Sequence, residues 1–421
     1  MNFTRRQHTA TVLQDGRVLV AGGIGASGTA VDTAELYDPT ANTWTVTTGP
    51  LVHTRSGHTA SLLQDGTVLV AGGSNSSGAR NSLEIFNPVA NAFTLYTAGD
   101  LSSARQNHAA AVLQDGRVII IGGSDGTNVL VSTDIYDPTA GTIAAGPALS
   151  VARMNHTATT QLDGKVFVAG GSTIDGTGTV TDLASAEIWD PAAPQSSTFV
   201  ALSGQLSVAR HGHQAFLLPH NGGILIVGGS NAGVSPALSA ADLYYPWAGT
   251  IKPTSSMASP RSSATGSPLS NGSLQSQNDG LLLVAGGKDA SGTLSSGELY
   301  GFAWVNTDKA DYAPGDLVTI TGGGWNPGET VTLSLLEAPF IDQPNPIAVV
   351  ADKAGNISDA ESAPDAQDVG IKFYLTATGS AAHAQTTFTD GGAPAQVHFT
   401  ADAPCSVNVT LTYTNNGTRI R

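Results

Sequence analysis

Cysteine is almost unused in this sequence: Cys405 stands alone among 421 residues. A disulfide framework and a thiolate metal cluster both need more than one sulfur, so neither is expected. Charge is scarce as well, at 12% of residues, and the Glu, Lys, Leu and Ala runs that favour helices are missing. No apolar stretch approaches the roughly 20 residues that a membrane-spanning helix needs. Positive charge is the rarer sign, with 18 Lys and Arg against 33 Asp and Glu and a net charge of −15. A phosphate backbone needs a basic face, which argues against nucleic acid as a partner. The opening MNFTRRQHT has no apolar stretch behind its charges and does not read as a signal peptide.

Glycine is abundant instead, at 50 residues, and Val, Thr, Tyr and Ile recur in short runs bounded by Gly, Asn, Asp and Pro. Such runs mark an all-β chain, and the length suits two or three domains. The runs are also periodic. Arg-x-x-His recurs at Arg5/His8, Arg55/His58, Arg105/His108, Arg153/His156 and Arg210/His213, and a sixth copy opens at Arg261 with Ala264 in place of the histidine. Glycine pairs follow at Gly22-Gly23, Gly72-Gly73, Gly122-Gly123, Gly170-Gly171, Gly228-Gly229 and Gly286-Gly287. An acid on a further apolar run comes next: Glu35, Glu84, Asp134, Glu187, Asp242 and Glu298. Each copy resolves into four strands, as in HTATVL, RVLVAGG, TAELYDP and NTWTVTT. Asp-Gly between the first two predicts a two-residue type I′ hairpin turn. One such sheet cannot bury both faces alone, whereas a ring of sheets can.

The glycine pair, the spaced aromatics and the period of about 50 residues resemble kelch repeats. HTATVLQDGRVLVAGG is especially similar to the kelch blades of bacterial proteins and of the galactose oxidase group. The resemblance covers residues 1–303 and implies a six-bladed β-propeller, with blades starting near residues 5, 55, 105, 153, 210 and 261. Fold does not fix function, because one fold hosts many activities.

Strand direction places the Arg-x-x-His openings and the glycine pairs on one face, and the Gln-Asp-Gly turns on the other. The loops after the glycine pairs vary, and the fourth, STIDGTGTVTDLASA, is the longest. Varied loops on a rigid frame are where binding is usually placed. By resemblance, kelch ligand sites lie on this face, which gives Arg6, Gln7, Ser56, Gln106, Asn107, Asn155 and His211 as candidate contacts. Asn75, Asp125 and Asp175 in the loops join them. The repeated histidines spread around a ring instead of converging on one ion, which favours a structural role. Each repeated arginine has one acid in its copy, which favours pairing between strands or blades; Arg6 falls outside that position and is left for a partner.

Catalysis and cofactors find little support. The galactose oxidase group uses copper with a cysteine cross-linked to a tyrosine, and the repeats hold no cysteine. His-Glu-x-x-His and a Walker loop are missing. Glycine-rich pieces such as GGIGASG follow strands but precede further strands, so no helix N-terminus cradles a phosphate. SDGTN and STIDGTGTVTD lack the clustered carboxylates of a strong calcium site. No cofactor, metal or catalytic residue is expected.

From Trp304 the pattern changes. WVNTDKADYAPGDLVTITGGGWNPGETVTLSLLE and the strands after it read as an immunoglobulin-like sandwich over residues 304–390, with residues 391–421 starting a further, truncated β-module. Its opening resembles the Ig-like modules of bacterial secreted and surface proteins. The sixth copy is expected to lack its own fourth strand, with a preceding segment supplying it together with an export signal. The leading expectation is a non-enzymatic secreted or cell-surface binding protein, its propeller face recognising a carbohydrate or protein ligand and its Ig-like modules acting as spacer. A carbohydrate-active propeller enzyme and a spacer without a ligand are the alternatives.

Overall fold

A computed structural model describes residues 1–193, 198–269, 281–313, 315–341, 344–361 and 370–391, together with the backbone of 413–415 and 418–420. Its ordered elements are all strands among the described residues. Val-, Ile- and Thr-rich runs form them, as β-branched side chains suit a pleated surface. The chain divides into two compact units: Met1–Leu217, Ile224–Gly266 and Val284–Glu298, and then Leu218–Gly223, Ser267–Leu283 and Leu299–Arg421.

The first five copies each make a four-stranded sheet in sequence order. The first consists of Thr9–Val12, Val18–Ala21, Ala34–Asp38 and Thr43–Val46. Its neighbour consists of Thr59–Leu62, Val68–Ala71, Leu83–Asn87 and Ala92–Leu95. The sixth copy gives three strands, Thr265–Pro268, Leu281–Ala285 and Gly297–Gly301. The first strands of successive sheets lie against each other from Thr9–Val12 through to Gln214–Leu217. Second strands such as Val68–Ala71, Val118–Ile121 and Ile224–Val227 are buried at every position. That explains their unbroken apolar sequence, since a strand packed on both faces has no use for alternation. Each core is shared by two sheets: Leu19 and Leu36 of the first pack with Val68, Val70 and Phe86 of the second.

The hairpin between the first two strands differs from the expected type I′ turn. The Gly16 N–H donates to Leu13 C=O at 3.0 Å and the Leu13 N–H to Arg17 C=O at 2.8 Å. Gly16 has φ +85°, while Asp15 is not left-handed. This is a type I turn closed by one left-handed glycine, the three-residue loop that is the next most common hairpin. Asp15 serves it by accepting the Arg17 N–H.

The second unit holds two sheets. Trp304–Thr307, Val318–Gly323 and Ile357–Glu361 form one; Asp311–Tyr312, His383–Asp390, Lys372–Thr378, Thr330–Ala338 and Ile347–Val350 form the other. Val305, Ile320, Leu333, Leu375 and Phe388 fill the space between them, and Phe373 stacks on Phe388 at 4.8 Å. This is a β-sandwich. Of the proposed module over 391–421, residues 392–412 lie outside the described residues, as does Cys405; Tyr413–Asn415 pairs with Thr418–Ile420.

Candidate functional site

The repeated arginine is a staple. In the second copy, Arg55 Nη1 donates to the carbonyls of Gly72 at 2.6 Å and Ser82 at 3.2 Å, and Nη2 to Glu84 at 2.5 Å. The same pairing joins Arg5 to Glu35, Arg105 to Asp134, Arg153 to Glu187, Arg210 to Asp242 and Arg261 to Glu298, at 2.6–3.1 Å. Arg55, Arg105, Arg153, Arg210 and Arg261 have no exposed surface. Each acid also receives the chain that leads into its arginine. Glu84 accepts the N–H groups of Val52 and His53, whereas Asp134, one methylene shorter, accepts only that of Ser102. The glycine pair is demanded by the same junction. At Gly22, with φ +61°, a Cβ would sit 2.7 Å from the Arg55 carbonyl oxygen. These groups are consumed by the fold.

The histidines form a relay between copies. His58 Nε2 shares a hydrogen bond with Thr9 Oγ1 at 3.0 Å, His108 with Thr59 at 2.9 Å and His213 with Thr157 at 2.9 Å. His156 should meet residue 109, but that position is Ala109, and neither ring nitrogen of His156 has a protein partner. Burial, reinforced by the neighbouring arginines, pulls His58, His108 and His213 down to about 3 from 6.5. They are neutral in the folded protein and face inward.

One residue past each arginine the backbone pairs with the residue after a glycine pair. Arg6 pairs with Ile24, Ser56 with Ser74, Gln106 with Ser124, Met154 with Ser172, His211 with Ser230 and Ser262 with Lys288. Five different side chains therefore occupy one repeated backbone position, serine twice. The following residue is left-handed in every copy: Gln7, Gly57, Asn107, Asn155, Gly212 and Ser263, with φ between +53° and +62°. The five from Gly57 to Ser263 are linked in series, the Asn107 N–H donating to Gly57 C=O, Asn155 to Asn107, Gly212 to Asn155 and Ser263 to Gly212. Asparagine tolerates this conformation better than other side-chain-bearing residues, so Asn107 and Asn155 have a backbone reason to be there. Between sheet six and sheet one, no backbone hydrogen bond is made among the described residues.

His211 is held most firmly. Its Nδ1 lies 2.7 Å from Asp182 Oδ1, which also accepts the Ser172 hydroxyl at 2.7 Å. Asp182 Oδ2 accepts the Ala232 N–H at 2.8 Å. A carboxylate acceptor places a ring proton on Nδ1 and turns Nε2 away from Asp182. Asp182 ends the long fourth loop, a ribbon of Ser172–Ile174 against Val180–Asp182, and its carboxylate ties that ribbon to the fifth copy. The sequence pattern gave no sign of Asp182, because no other copy repeats it.

The other candidates fall into three groups. Arg6, Gln7 and Asp175 are exposed, Gln106, Asn107, Asn155, Asn75 and Asp125 are half-buried, and Ser56 is buried. Asp125 accepts the N–H groups of Thr127 and Asn128, and Asp175 those of Thr177 and Thr179, so both carboxylates close loop turns. Asn75 Nδ2 donates to Thr54 Oγ1 at 3.1 Å. Gly122–Gly126 spells Gly-x-Ser-x-Gly, yet Ser124 is buried, its hydroxyl accepts the Gly126 N–H, and a strand follows instead of a helix.

Residues 2–171 match a family model described as the KLHDC2/KLHL20/DRC7 Kelch-repeats domain. A solved structure titled "Structure of YjhT" aligns at 19% identity and a TM-score of 0.49, covering 60% of this chain and 84% of that one. No curated protein matches. The match spans the first three copies and the opening strands of the fourth, and there the chain is similar to that Kelch-repeat domain.

Proposed function

We propose that this chain is a non-enzymatic binding protein whose copies form a six-bladed propeller and present the face bearing Arg6, Gln106 and His211 to a protein ligand. One observation carries the reading: the position after each buried arginine keeps its backbone pairing in all six copies while its side chain varies among Arg, Ser, Gln, Met and His. A position needed only for packing would repeat its side chain, as the arginines do. Kelch-repeat domains imply protein binding, which favours a protein ligand. Convergent acid–base groups would favour catalysis instead. Here the Ser172 hydroxyl donates to Asp182 and not to His211, so the group supports a positioned contact more than a nucleophile. The sandwich is read as an immunoglobulin-like spacer, and the whole as a secreted or cell-surface protein.

A photo-crosslinking residue placed at Gln106, with a control at Asp65 on the opposite turns, tests the face. Capture of one protein from intact cells at position 106 and not at 65 is expected. Equal capture at both positions would sink the assignment. Binding on a glycan array, lost in Arg6→Ala and His211→Ala, would move the ligand to carbohydrate.

A further inference from the structure

The loops after the glycine pairs share one internal contact. The N–H of Val31, Arg80, Leu130, Leu183, Leu238 or Leu294 donates to the second glycine's carbonyl at 2.8–2.9 Å. In the first five copies the carbonyl of that same residue accepts the N–H of the next copy's buried arginine. Five of these six residues are aliphatic, and the second copy alone has a cation, Arg80. The Arg80 backbone is ordinary, bonding Gly73 at 2.8 Å and Arg105 at 2.9 Å. Its side chain is not. It is half-buried, Nε is shut off from solvent without a partner, and the guanidinium makes no ion pair among the described residues. The acid of its own copy is already taken, since Glu84 holds Arg55 and two backbone N–H groups. The Arg80 charge also lies near enough to Arg55 to help lower that group's pKa, after burial and against the pull of Glu84.

Register with the first copy assigns a second basic side chain to this position. In the first copy, Phe3 and Val31 line a cavity of about 330 Å³ beside Arg5. Register with the second copy puts His53 where Phe3 stands and Arg80 where Val31 stands. The remaining copies have Ser103, Val151, Val208 and Ser259 at the first of these positions. His53 Nδ1 is 3.6 Å from Glu84 and makes no hydrogen bond, and its side chain is 31% exposed. A local rule broken without internal compensation points to a functional site. A guanidinium offers a planar fork of donors matched to a carboxylate.

We propose that Arg80, with His53 beside it, receives a carboxylate side chain from an acidic segment of the protein ligand. This rests on the protein-binding reading above and names the chemistry of one contact within it. The test uses Arg80→Leu, which copies the residue of four sister loops and is expected to fold at least as well as the natural chain. A fluorescent Glu-rich peptide and its Gln-matched control are titrated against both proteins, followed by anisotropy. The natural chain should prefer the Glu peptide, Arg80→Leu should lose about tenfold or more, the scale of one charge-assisted contact, and Arg80→Lys should fall between. Equal binding by Arg80→Leu, or no preference for Glu over Gln in the natural chain, overturns the proposal. Binding of a polyuronate without binding of the Glu peptide overturns the peptide assignment. Crosslinking from Gln106 does not depend on peptide charge, so failure here leaves the face-level reading to stand or fall separately.

Discussion

The repeated copies bury guanidinium groups, carboxylates and imidazoles; the sandwich core gathers Val305, Ile320, Leu375, Phe373 and Phe388. Both units are built from short strands, but the first must also join one sheet to the next at a corner where several carbonyls end without ladder partners. Arg55 meets Gly72, Ser82 and Glu84 there, and an apolar residue would leave those acceptors dry. Among the described residues the sandwich has no such repeated corner; its core is mainly apolar, with Glu337 and Asp390 buried as single, unrepeated carboxylates. Conspicuous, repeated polar residues are therefore interior parts in this protein, whereas the position that varies from copy to copy ranges from exposed Arg6 through half-buried Gln106 and His211 to buried Ser56.

The contrast breaks most sharply at a buried ion pair. Glu84→Ala strands the Arg55 charge in the interior and should cost about 3–5 kcal/mol, lowering the first unit's transition in urea. Leu375→Ala removes only apolar volume, should cost about 2–5 kcal/mol, and should lower the second unit's transition alone. A shift of both transitions by either variant would contradict two separate cores.

Acid separates the units next. His58, His108 and His213 titrate near 3 when folded and near 6.5 when unfolded. Their neutral forms support the fold above pH 6.5, and that support drains away as pH falls from 6.5 toward 3. Each should remove about 1.4 kcal/mol per pH unit in that window. Urea midpoints between pH 7 and 5 should drop for the first unit while the second unit changes much less.

The smallest effect is a repair. Ala109→Thr gives His156 Nε2 the hydroxyl that Thr9, Thr59 and Thr157 supply elsewhere. A gain of roughly 0.5–1.5 kcal/mol is expected. A loss would show that the pocket around Ala109 has closed on the smaller residue.

Much of this was readable from spacing. The Arg–acid pairing, the glycine pairs and the four strands per copy all repeat, so each occurrence supports the others. What repetition could not show was of two kinds. The Thr–His bond joins neighbouring copies about 50 residues apart in sequence, and the adjacency of His and Thr within HTA hides it. Asp182 and Arg80 occur once, off the pattern, and only geometry reveals that one is fully engaged and the other has no ion pair. Asn107 and Asn155 were legible as unusual, but their left-handed backbone supplies a reason besides ligand contact. The Asp-Gly turn was read one residue too tight because the following ladder bond, Leu13 to Arg17, depends on strand register.

Two histidines two residues apart test the inward–outward division most directly. His213 is buried and bonded to Thr157, whereas His211 is 31% exposed and bonded to Asp182. Urea denaturation of His213→Ala and His211→Ala should show a loss of about 2–4 kcal/mol for the first, from a cavity and a stranded hydroxyl. The second should lose no more than about 1 kcal/mol. Equal losses, or a larger loss at His211, would contradict the division of the repeat into an interior that holds the fold and an outward residue left free to bind.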